Sequence, residues 1–221
     1  MAIVWPCSLS LDAYVAADRE LEVPRPRCPE CSAPMTRWSG YRRHVREAGS
    51  TRKIFVPRLR CAPCRVTHAL LPSFCLLQRL DAADAIGEVI EAVTDAVSGV
   101  RPIAARLQIP YTTARDFVRR FVARTAELAL AFSSLCVELG GEPPASGDPV
   151  RGALLALRAA FDRAMDLPGW VVLGLWRFCS AVCGGRLIAT NTISPYLVVG
   201  KRRFMPPVPN RQRKGTENDR T

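Results

Sequence analysis

Cys28-Pro-Glu-Cys31 and Cys61-Ala-Pro-Cys64, the second pair preceded by the β-prone run from Ile54 to Leu59, decide how the first half of this chain is read. Each Cys-x-x-Cys turn aims two thiolates at one point, and two such turns on neighbouring hairpin ends supply the four sulfurs of a tetrahedral zinc site at about 2.3 Å. The 29 residues between the pairs suffice for one hairpin. So small a sheet does not hold together alone, and zinc is therefore expected to stand in for a core. Four sulfurs leave no open coordination position, which makes the expected ion structural rather than catalytic. A redox Cys-x-x-Cys needs a βαβ surround, whereas prolines and arginines flank these pairs. His44 and His68 are alternative ligands by proximity in sequence, although such histidines more often serve the surface or the packing. Cys179 and Cys183, at i, i+4 on an apolar face, read as buried thiols, and Cys7, Cys75 and Cys136 have no partner by spacing.

Charge surrounds this quartet. The 221-residue chain carries 31 Lys and Arg against 20 Asp and Glu, a formal +11. That surplus favours polyanionic partners, nucleic acid above all, although an Arg-heavy, Ala-rich composition also follows from a GC-rich genome. With 48% apolar residues, wholesale disorder and a polytopic membrane protein are excluded. Between Arg25 and Arg79 stand twelve bases and only Glu30 and Glu47, so this block is the expected polyanion face. Arg37, Arg42, Arg43, Arg46, Arg52, Lys53, Arg58 and Arg60 alternate there with Trp38, Tyr41 and Phe55. Arginines track phosphates, while Trp38 and Tyr41 are expected to complete a small core.

Outside the quartet the pattern is helical. Ser10 caps a short helix over LDAYVAADREL, and Ser39-Gly40 and Gly49-Ser50 read as breakers. Ala85, Ile86, Val89, Ile90, Val93 and Val97 recur at helical spacing, with Asp84, Glu88, Glu91 and Asp95 opposite. Arg101 to Phe121, RPIAARLQIPYTTARDFVRRF, has helix-turn-helix spacing. Ile103, Ala104 and Leu107 face inward, Ile109 plugs the turn, and Ala114, Phe117 and Phe121 line the second helix, which is read as continuing to about Val137. Gln108 stands where such turns more often carry Gly, which takes positive φ without strain. In this register Tyr111, Thr112, Arg115, Asp116 and Arg119 project outward toward base edges, and Arg120 and Arg124 toward phosphates. The competing reading is a helical bundle with a solvated charged face.

CPEC, the WSGYRRHVRE segment, IFVPRLRCAPC and THALLPSF, followed by this helix-turn-helix, resemble the N-terminal zinc-ribbon and DNA-binding region of insertion-sequence transposases. They resemble still more the bacterial zinc-ribbon and helix-turn-helix proteins related to those transposases, which often lack the catalytic part. The resemblance covers Val23 to about Phe121. It implies zinc ligation by Cys28, Cys31, Cys61 and Cys64 and contact with double-stranded DNA from Tyr111 to Arg119. A full transposase needs three carboxylates on an RNase H-like sheet. After Val137 the acids are Glu138, Glu142, Asp148, Asp162, Asp166, Glu217 and Asp219, set in helical or tail sequence, so no enzyme is expected.

The expected architecture is mainly α with a small N-terminal β zinc ribbon. It comprises a helical extension (1–22), the ribbon (23–78), a helix-turn-helix domain (79–139), the breaker-rich linker GGEPPASGDP (140–149), an apolar helical hairpin (150–200) and a disordered basic tail (201–221). Without a basic leader or a clean apolar stretch of about 18–20 residues, the cytoplasm, with association to the nucleoid, is the expected compartment. The expected function is zinc-stabilised, sequence-specific DNA binding tied to a mobile element, as a possible homodimer. The alternatives are a dimerisation or protein-interaction module using the 150–200 hairpin, or a degenerate transposase fragment.

Overall fold

The computed structural model describes residues 2–167, 170 and 172–189. The basic tail and the last part of the expected hairpin therefore lie outside the described residues. Within them the fold is α+β: a four-stranded mixed sheet followed by a bundle of helices. This is more sheet than a lone ribbon provides, and the difference begins at the N-terminus. Ala2–Trp5 forms β1, where a purely helical extension was expected. Ser10 then caps α1 (Leu11–Ala17), accepting from the Ala13 amide at 3.2 Å, and a 3-10 turn follows at Asp18–Glu20.

The hairpin between the cysteine pairs is long. β2 (Met35–Glu47) and β3 (Ser50–Cys61) pair in antiparallel fashion about the Ala48-Gly49 turn, and β4 (Thr67–Pro72) returns along β3. β1 adds to β4 in parallel, giving the order β1-β4-β3-β2 with β2 at the edge. The pleat sends alternate β3 side chains to opposite cores. Ile54 and Val56 join Val45, Leu71, Tyr14 and Phe74, while Leu59 and Cys61 join Met35, Leu70 and Cys28 on the side of the cysteine pairs. Ser39-Gly40 does not break β2. It lies at a bulge, and the Phe55 ring packs directly on Gly40 where any Cβ would collide.

The helices are α2 (Ala83–Thr94), α3 (Val100–Arg106), α4 (Tyr111–Val122), α5 (Thr125–Glu138), α6 (Pro149–Ala164) and α7 (Leu175–Val182). The single helix expected from Thr112 to Val137 is two, broken at Ala123-Arg124 without any proline or glycine. Arg124 is the cause. Its side chain is buried and donates to the carbonyls of Arg186 (3.0 Å) and Ala189 and to Glu127 (2.8 Å), so long-range bonds override local propensity.

Segment 140–149 is irregular, as its breakers dictate, and Asp148 with Pro149 starts α6. It does not divide two domains: Phe132 and Leu135 before it share one core with Leu154, Leu157, Phe178 and Val182 after it. The acids expected on the solvent side of α2 are tied to other helices. Glu91 and Asp95 receive Arg158 (2.9 and 2.6 Å), Asp84 receives Arg177 (2.7 Å) and Glu88 receives Arg106 (2.5 Å). Cys179 and Cys183 are fully buried thiols, as their spacing suggests. Among the described residues no helix is long and apolar enough to cross a membrane.

Candidate metal centre and nucleic-acid interface

The two Cys-x-x-Cys turns have the same local design. The Cys28 amide donates to the Ala33 carbonyl at 2.8 Å and the Cys61 amide to the Val66 carbonyl at 3.0 Å. The residue after each pair is left-handed, Ser32 at φ 60° and Arg65 at φ 58°. Each turn thereby curls around its own pair of sulfurs. β3 ends at Cys61 while β4 begins at Thr67, so the second turn is fixed by the sheet; Cys28 enters the same small core as Met35 and Leu70.

The four Sγ atoms of Cys28, Cys31, Cys61 and Cys64 all lie within 4.8 Å of one another, and Cys31 and Cys61 approach to 3.4 Å. A tetrahedron with metal–sulfur bonds of about 2.3 Å has edges of about 3.8 Å, so the quartet fits a four-sulfur ion such as zinc. Without bound metal the thiols titrate against one another. The Ala33 backbone bond and the neighbouring thiols lower Cys31 to about 7, whereas the bond with Cys31, followed by burial, pushes Cys64 up to about 12.

The histidines separate. His68 is buried on β4 with Nε2 3.8 Å from Cys28 Sγ, beside a quartet already complete in sulfur, and burial lowers its pKa. His44 stands opposite Lys53 near the hairpin tip, about 30 Å along β2 from the cysteine end, and is no ligand.

The far end of the hairpin meets the helices. The Ala48-Gly49 turn rests on the side chain of Gln108, in the turn between α3 and α4. Gln108 takes the left-handed conformation, φ 54°, that a glycine was expected to supply. Ile103, Ala104, Ile109, Ala114, Phe117 and Phe121 are all buried in the helical core, as their spacing predicts.

On α4, Tyr111, Thr112, Arg115 and Arg119 are exposed. Tyr111 is flanked by the guanidinium groups of Arg101 and Arg115, at 5.1 and 5.7 Å from its ring centroid. Asp116 is half-buried and receives Arg119 (2.7 Å), Arg120 (2.6 Å) and, at 3.8 Å, Arg79. One carboxylate among three guanidinium groups leaves a positive surplus on this face. Arg124, expected to reach phosphates, is instead the buried clamp described above.

The hairpin bases divide likewise. Lys53 and Arg58 are exposed, Arg58 donating to Thr67 Oγ1 at 2.7 Å. Arg42 is bound by Asp18 and Arg46 by Asp81. Arg43 is half-buried and caps the carbonyls of Leu76 (2.6 Å) and Arg79, main-chain acceptors outside any helix or strand, so it is not presented to a ligand. Trp38 and Tyr41 correct the expectation in the other direction: they are 59% and 42% exposed, on the edge strand and outside any core. Their aromatic character suggested burial, and only the sheet order reveals that among the described residues no apolar core covers them, the Arg60 guanidinium alone lying 4.4 Å from the Trp38 ring centroid.

Residues 28–105 match the family described as "Domain of unknown function (DUF6431)". The matched span opens on the first cysteine of the quartet and ends inside α3, taking in all four cysteines, the hairpin and the Arg46–Asp81 pair and stopping short of α4. No curated protein and no solved structure matches the chain.

Proposed function

We propose that the chain is a zinc-stabilised, sequence-specific DNA-binding protein of mobile-element type, transposase-like in its N-terminal parts and acting without a catalytic step. The observation that carries this reading is α4. A fully buried face of Ala114, Phe117 and Phe121 holds a short helix whose opposite face presents Tyr111, Thr112, Arg115 and Arg119. The helix is entered through the tight left-handed turn at Gln108, the arrangement by which a helix-turn-helix sets its second helix into a major groove. Arg115 at the helix start reads base edges, where guanidinium bridges guanine O6 and N7. The surplus around Asp116, with Lys53 and Arg58 on the hairpin, supplies phosphate contacts.

The metal acts at a distance. It clamps the open end of a hairpin whose tip, up to about 40 Å away, supports the α3–α4 turn. Zinc would therefore hold shape and take no part in contact.

The rival reading, a dimerisation module built on the 150–200 hairpin, loses its main motive. Ala153, Leu154, Leu157, Phe178 and Val182 are buried within the chain and are not offered to a partner. Among the described residues, the apolar side chains left exposed for a second copy include Leu130 and Val137 on α5 and Met165 and Val172 in the 150–200 segment. Selection of bound sequences from a random duplex pool, run alongside metal analysis of the purified protein, tests the proposal. Recovery of one consensus with one equivalent of zinc supports it, and recovery of the unenriched pool refutes it.

A further inference from the structure

The open half of the β2–β3 face carries, beside Arg58, an exposed indole and an arginine, Trp38 and Arg60, that the α4 reading does not use. Between Arg37 and Ser39 the register with β3 shifts, leaving Trp38 without a cross-strand partner. Such bulges re-aim a side chain. Thr36 stands opposite Arg60, Ser39 opposite Arg58 and Tyr41 opposite Val56, so these residues share one pleat face. The Arg60 guanidinium lies 4.4 Å from the Trp38 ring centroid and places the indole on that face too.

Toward the hairpin tip this face is closed, with Ile54 and Val56 buried against Tyr14 of α1. Toward the metal it opens, and there it holds Trp38, Tyr41, Arg58 and Arg60. No carboxylate of the described residues pairs with Arg58 or Arg60, which engage Thr67 and the indole instead.

We propose that this face is a stacking site for an unpaired nucleobase, with the Trp38 indole taking the base and Arg58 and Arg60 the phosphates on either side. The proposal rests on the nucleic-acid reading above and adds a second ligand class to it, single-stranded DNA. An indole flanked by cations suits a π-faced polyanion. Intact duplex does not satisfy it, because base faces there are covered by their neighbours and only edges reach the grooves. A peptide strand added to the β2 edge is disfavoured as well, since the bulge and the outward arginines interrupt edge pairing.

The test uses the full-length, zinc-loaded protein and fluorescence anisotropy with two probes, a short labelled oligothymidine strand and a blunt duplex of the selected sequence. Trp38→Ala is expected to weaken oligothymidine binding about tenfold and to change blunt-duplex binding by less than about twofold, with Trp38→Phe retaining most of the affinity. Melting temperature measured on each variant separates loss of stacking from loss of fold. Unaltered oligothymidine binding by a folded Trp38→Ala, or equal losses on both probes, overturns the proposal, as does a wild-type protein that ignores oligothymidine because the face serves another partner. Arg115→Ala separates the two readings. If it leaves duplex affinity unchanged while Trp38→Ala abolishes strand binding, the α4 reading fails and this one stands; the reverse pattern sinks only the stacking site.

Discussion

Arg46, near the end of β2, grips Asp81, just ahead of α2, through Nε to Oδ1 at 2.7 Å and Nη2 to Oδ2 at 3.0 Å. The main chains interlock at the same place, with the Arg46 amide donating to Leu80 and the Ala82 amide donating to the Arg46 carbonyl. The hairpin and the helical half therefore meet through a charged clamp whose carboxylate is 3% exposed. Asp81→Ala is expected to destabilise the protein by about 3 kcal/mol, because it leaves a guanidinium largely buried without its counter-charge. Urea unfolding of the variant checks this, and a change below about 0.5 kcal/mol, the level of an ordinary surface substitution, would rule the clamp out.

Metal removal should act on one end of the molecule first. The quartet shares its core with Met35, Leu59 and Leu70, none of which belongs to the helical core. Structural zinc is worth on the order of 10 kcal/mol to small metal-built units. Chelation, or Cys61→Ser, is expected to melt the metal end of the sheet at lower temperature while helical circular dichroism persists. Elemental analysis with a two-wavelength thermal scan reads both outcomes.

Stability and recognition should separate on α4. Phe117 is 1% exposed, and Phe117→Ala is expected to cost about 3–5 kcal/mol through the cavity it leaves. Arg115 is exposed, and Arg115→Ala should alter stability by less than about 0.5 kcal/mol while weakening DNA binding. Paired denaturation and binding curves for the two variants check this division.

Asp116 gives the helix an acid-sensitive component. Desolvation opposes its ionisation, but bonds from Arg119 and Arg120 outweigh that and hold its pKa below the ordinary carboxylate value. A carboxylate with a depressed folded pKa stabilises fully above its unfolded value of about 3.9, and that contribution is lost as pH falls through the folded value. At 26% exposure it amounts to under about 1 kcal/mol. Asp116→Asn should flatten this part of the stability profile between neutral pH and the acid limb, as followed by urea midpoints.

The cysteine quartet and the buried faces of α2, α3 and α4 were legible in the sequence because their signals are local: paired Cys-x-x-Cys spacing and helical periodicity. What was not legible depends on distant residues. β1 joins the sheet by pairing Ala2 with Ala69 and Trp5 with Pro72, and nothing near residue 2 announces that partner. Arg124 breaks a sequence that reads as one helix because it binds carbonyls at 186 and 189. Segment 140–149 has a linker's composition, yet the helices it joins bury the same core. Arg43 and Trp38 exchange expected roles for a related reason: strand order decides which side chains find acceptors and which are left in water.

Duplex affinity measured against salt concentration, with zinc-loaded protein and the selected sequence, tests the central claim most directly. The account predicts that log K falls linearly with log salt, and that Arg115→Ala lowers affinity for the selected duplex by roughly 1–3 kcal/mol while changing random-duplex affinity far less. Absence of duplex binding at low ionic strength, or an Arg115→Ala loss equal on both duplexes, would contradict it.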